Sequence, residues 1–82
     1  MNEQPQALVV TANWDREALV WVATSEDVPG LVAEAETAER LVEIIKQLVP
    51  QLLVENGLLQ PEGSGCPDIR LQSFREDLLH VV

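Results

Sequence analysis

The sequence predicts an α+β domain of order β-β-β-α-β, a single antiparallel sheet with one long helix packed on one face. Three observations carry this. Two β-rich apolar runs flank the polar break Asp15-Arg16-Glu17, a Pro29-Gly30 turn leads into a short alternating stretch, and an apolar stripe at helical spacing runs from Leu41 to Leu53.

The chain has 82 residues, which corresponds to one domain spanning residues 1–82. A chain of this size buries about 60% of the surface it exposes when unfolded. Hydrophobic residues make up 46% and charged residues 23%, a balance that places it with globular chains and away from disordered ones. Disorder is expected over 1–6 and flexibility over 58–67.

In the first strand, Ala7 to Trp14, the residues Leu8, Val10, Ala12 and Trp14 fall on one side at period two. The apolar pattern resumes from Ala18 to Thr24, so the two runs form a hairpin. Pro29 presets φ and Gly30 permits positive φ, which suits a type II turn. A third strand follows from Leu31 to Ala35, where Leu31, Ala33 and Ala35 alternate with Val32, Glu34 and Glu36.

Thr37 has the chemistry of a helix N-cap, and Glu39 lies in the first turn, where the helix dipole favours an anion. Leu41, Val42, Ile44, Ile45, Leu48, Val49, Leu52 and Leu53 form the apolar side of the helix; Glu39, Arg40, Glu43, Lys46, Gln47 and Gln51 take the other. Pro50 falls on the polar side and is expected to kink the helix or divide it into two collinear pieces. Asn56-Gly57 ends the helix, and Gln60 to Pro67 is a loop by composition. The last segment, 68–82, reads as a fourth strand bent at Arg75-Glu76-Asp77.

Five basic residues against fourteen acidic leave a net charge of −9. Such a surface repels phosphate backbones, so no direct nucleic-acid binding is expected; it attracts basic proteins and also keeps a small domain soluble. There is no positively charged leader and no run of about 20 apolar residues, so neither secretion nor membrane insertion is expected. A lone cysteine, Cys66, forms no internal disulfide, and a cytoplasmic location is expected.

Catalysis requires a nucleophile, acid, base or metal set, and the chain offers one His, one Cys and no Tyr. No catalytic residues, metal site or cofactor are expected. His80 reads as a strand side chain and Cys66 as an exposed loop thiol. Glu26-Asp27 and Glu76-Asp77 are isolated pairs without the alternating oxygen ligands of a calcium loop.

Trp14 to Val22, Glu26 to Leu31 and Glu36 to Leu41 together resemble the N-terminal domain of HicB antitoxins over roughly residues 7 to 56, and small stand-alone HicB-like bacterial proteins of unassigned function. The resemblance implies a partial double-stranded-RNA-binding-like fold that docks a small basic HicA toxin and masks its ribonuclease activity. In two respects the chain departs from that family. Only residues 58–82 follow Gly57, too few for the DNA-binding domain that many HicB proteins carry, and Arg16 stands where family members often place glycine.

Binding is expected at the sheet face opposite the helix. A register with Trp14 opposite Ala18, across a three-residue turn, puts Leu8, Val10, Ala12, Val20 and Val22 under the helix and leaves Leu19 and Trp21 on the open face. A loop one residue longer moves Leu19 and Trp21 into the core, because a one-residue slip exchanges faces. The first register is preferred, and the partner-binding set is then Leu19, Trp21, Asp27, Val28, Pro29 and Gly30. Dimerisation through the same surface is a further expectation. The alternative is an orphan HicB-like domain, homo-oligomeric or small-ligand-binding, with no toxin partner.

Overall fold

The computed structural model describes residues 7–62 and 65–81; the disorder expected over 1–6 lies outside them. The elements are β1 (Leu8–Asp15), β2 (Val20–Thr24), β3 (Val32–Ala35), α1 (Ala38–Glu55) and β4 (Ile69–Phe74). One four-stranded sheet has the order β3-β2-β1-β4, with α1 packed over β3 and β2. The expected element order is therefore present. The sheet, however, is mixed: β1-β2 and β2-β3 are antiparallel, whereas β4 runs parallel to β1. Parallel neighbours need a long crossover, and here β3, α1 and the loop after it supply one that returns the chain to the free edge of β1.

The hairpin departs from the expected register. Trp14 lies opposite Trp21 and Asp15 opposite Val20, so the loop is Arg16 to Leu19. The Asp15 carboxylate accepts the Glu17 and Ala18 N–H groups at 2.9 and 3.1 Å. Leu19 closes the turn, donating its N–H to Asp15 O at 2.8 Å from a left-handed φ of 58°. Asp15 thus belongs to both strand and turn, and the strand pairing moves by an odd number of residues. Trp21 and Ala23 join Val10 and Ala12 on the helix side, while Val20 and Val22 face the open side.

Beneath α1 the sheet is lined with alanine. Ala12, Ala23 and Ala33 sit side by side across three strands, and all three are buried, as is Ala35. Small side chains there admit the larger Leu41, Ile45, Val49 and Leu53, the four fully buried residues of the helix. Each such side chain contributes about 1.5–3 kcal/mol on burial.

Thr37 caps α1, its hydroxyl accepting the Arg40 N–H at 3.1 Å. The helix continues across Pro50 as one element, neither divided nor ended. At its far end Gly57, at φ 74°, closes a Schellman pair: Leu58 N–H to Leu53 O at 2.8 Å and Gly57 N–H to Val54 O at 3.0 Å.

Two further expectations need correction. Cys66, after α1, is a half-buried side chain packed against the core and not an exposed thiol. The fourth strand stops at Phe74, and residues 75–81 carry no strand.

Candidate functional site

The sheet face away from α1 bears Val9, Thr11, Asn13, Val20, Val22, Thr24, Val32, Glu34, Arg70, Gln72 and Phe74, as the pairing and the alternation of strands dictate. One row across it reads Val32, Thr24, Thr11, Gln72, and the next Glu34, Val22, Asn13, Phe74. Val32 and Phe74 are well exposed. No element covers this face among the described residues, so it is a mixed valine, hydroxyl and amide surface open to solvent.

At one end the face dips into a concavity of about 310 Å³ lined by Val9, Thr11, Thr24, Ser25, Glu26 and Asp27. Its rim is held by a local network. Ser25 Oγ donates to Val9 O at 2.6 Å and accepts the Asp27 and Val28 N–H groups at 3.0 and 3.2 Å. Asp27 Oδ2 accepts the Val9 N–H at 2.8 Å. The chain leaving β2 is thereby clamped to β1, with valine and threonine as the floor and two acidic residues at the edge.

The type II turn follows directly. Leu31 N–H reaches Val28 O at 3.2 Å, and Gly30 holds φ 87°, which a side chain would strain. Asn56 Nδ2 donates to Pro29 O at 3.3 Å, joining the turn to the end of α1. Asp27, Pro29 and Gly30 are exposed. Val28, expected at the partner surface, has no accessible surface and is part of the core, because the turn folds its side chain under the helix.

Trp21 is likewise not on the open face. It lies half-buried on the helix side against the core, its ring edge-on to Trp14 with centroids 5.4 Å apart and planes at 62°. The guanidinium of Arg75 stacks on Trp14 at 4.3 Å, so the tryptophans form a cluster at the sheet end away from the concavity. Leu19 is 61% exposed but sits at that same end. The structure thus brings Asp27 to Gly30 together with Val9, Thr11 and Thr24, and separates them from Leu19 and Trp21 by the length of β2. Sequence reasoning does not single out Val9, Thr11, Val22, Thr24 or Val32; their signal is the period-two alternation, readable only once the register is known.

Among the described residues no group of three or more His, Cys, Asp or Glu is placed to hold a metal ion, and no helix is long and apolar enough to cross a membrane. What the arrangement offers is a partly apolar face with an acidic rim.

Fold and site together define a small α+β domain in which a single helix covers one side of a four-stranded mixed sheet. The chain belongs to the DUF1902 family, a domain of unknown function, whose sequence pattern matches residues 7–72. It is similar to a hypothetical protein of the extremely thermophilic bacterium Thermus thermophilus, known from a crystal structure. That protein is 41% identical, with a TM-score of 0.67, and the alignment covers 93% of this chain and all of the other. No curated protein matches the chain.

Proposed function

We propose that this chain is a non-catalytic protein-binding module that docks a small basic protein on its open sheet face, in the manner of a HicB antitoxin neutralising a HicA-type ribonuclease. The observation that carries the reading is the concavity at Val9, Thr11, Thr24, Ser25, Glu26 and Asp27, where an uncovered β surface meets carboxylates. A lysine or arginine at the rim would find anionic oxygen, and its partner's apolar residues would find Val22 and Val32 alongside. The net charge of −9 steers a basic partner toward the domain and speeds encounter. Neutralisation would follow from occlusion, the open face and its acidic rim covering the cationic surface on which a ribonuclease holds RNA. The resemblance of residues 7–56 to HicB domains supports the same reading.

The test is affinity capture of the tagged chain from its native cells, with the captured protein then assayed for ribonuclease activity alone and with the chain added. Recovery of a small basic ribonuclease that is released as salt rises, and is inhibited by the wild-type chain but not by Val22→Glu or Glu26→Lys, is the expected result. Undiminished inhibition by both variants would overturn the assignment of the surface. A chain that captures no basic protein would leave the orphan-domain alternative, homo-oligomeric or small-ligand-binding.

A further inference from the structure

β1 and β4 run parallel and stay paired as far as Asn13 and Phe74. Beyond that pair the chains part: β1 turns at Asp15 into the hairpin loop, while the chain from Arg75 onward carries no strand. Chains that part at the carboxyl ends of neighbouring parallel strands leave a crevice, the place where open α/β sheets bind their ligands. Here it is a cleft of about 560 Å³ lined by Asn13, Trp14, Arg16, Phe74, Arg75 and Glu76. A cleft of that size is in the range of small-molecule sites.

Its lining is unlike the rest of this acidic chain. Of five basic and three aromatic residues in all, Arg16, Arg75, Trp14 and Phe74 meet at this cleft, and the remaining aromatic, Trp21, stands edge-on to Trp14. The Arg75 guanidinium lies 4.3 Å from the Trp14 ring centroid and donates from Nε to Asp77 at 2.9 Å. Stacking and ion pair together hold its plane in place. Its terminal amino groups make no hydrogen bond among the described residues. Arg16 is exposed and has no ion pair among those residues. Phe74 is 55% exposed, so apolar ring surface adjoins these donors. The nearby carboxylates are largely committed: Asp77 serves Arg75, and Asp15 accepts N–H groups of its own turn. Glu76 alone among the lining residues is acidic.

We propose that this cleft binds a small planar anion, an aromatic ring carrying a carboxylate or a phosphate. The anionic oxygens take the free N–H groups of Arg16 and Arg75, whose planar forks match carboxylate and phosphate geometry. The ring lies against Phe74, and the Asn13 amide serves polar groups on the ring edge. Glu76 opposes the anion and limits affinity. The cleft is at the sheet end away from the acidic rim, so the inference does not depend on the basic-partner reading.

Isothermal titration calorimetry of the full chain, with tryptophan fluorescence alongside, tests this. The probes are adenosine monophosphate and benzoate, each a ring with an anion, against adenosine and inorganic phosphate, each with half of that chemistry. At least one ring anion should bind about tenfold or more tightly than either half, and less tightly as salt rises. Tighter binding of adenosine monophosphate marks phosphate as the anion; tighter binding of benzoate marks carboxylate. Arg16→Ala, in an exposed loop, should weaken binding by about tenfold or more with an unchanged circular dichroism spectrum. Arg75→Lys keeps the charge but loses the planar stack, and should weaken it in the same direction. Glu76→Gln should tighten it severalfold by removing a like charge. Failure of both ring anions to bind at millimolar concentration, equally tight binding of inorganic phosphate, or undiminished affinity in Arg16→Ala and Arg75→Lys would overturn the proposal.

Discussion

Replacing Ser25 with alanine tests how the acidic rim is built. The Ser25 hydroxyl makes three hydrogen bonds within the network that joins the end of β2 to β1: to Val9 O at 2.6 Å and from the Asp27 and Val28 N–H groups at 3.0 and 3.2 Å. A typical bond contributes about 0.5–1.5 kcal/mol net, and groups left unpaired cost more when water does not reach them. Asp27 is exposed and rehydrates; Val28 is buried, so its N–H is the costly one. The expected loss is about 2 kcal/mol. For a domain of this size a loss of that order lowers Tm by roughly 8–16 °C. Thermal and urea unfolding followed by circular dichroism measure it. A loss under about 0.5 kcal/mol would refute the clamp, since a single intact bond of this kind contributes that much.

Further expectations follow from the same geometry. Leu19→Gly removes the strain of a left-handed φ at a residue that is 61% exposed, and should raise stability by about 1 kcal/mol in urea unfolding. Asp27→Asn keeps an oxygen for the Val9 N–H, so it should retain more stability than Asp27→Ala while weakening capture of a basic partner. Ala23→Leu, which drives a large side chain into the alanine floor under α1 where Ala23 is fully buried, should cost about 1–3 kcal/mol or prevent folding. Trp21→Glu places a charge against the core and should destabilise strongly, whereas Val22→Glu one residue on should leave Tm nearly unchanged; equal losses would contradict the register.

The elements with strong local signals were legible in the sequence. Thr37, the stripe from Leu41 to Leu53, and Asn56-Gly57 mark the helix by periodicity and capping, and Pro29-Gly30 marks its turn by backbone preference. The hairpin register was not, because it depends on Asp15 closing a four-residue loop with Leu19 in a left-handed conformation, and leucine does not announce positive φ as glycine does. That single offset moved Trp21 off the open face and Val22 onto it. The parallel placement of β4 was also hidden, since alternation in Ile69 to Phe74 says which residues share a side but not which edge the strand joins. Val28 reads as a turn residue in sequence and becomes core only when the turn folds beneath α1.

The open sheet face, with its acidic rim, is the proposed docking surface. Nuclear magnetic resonance mapping of the labelled chain with its captured basic partner tests it most directly. Shifts are expected at Val9, Thr11, Val22, Thr24, Glu26 and Val32, with α1 little changed. Shifts confined to the exposed side of α1, around Glu39, Glu43 and Gln47, with the open face unmoved, would contradict it.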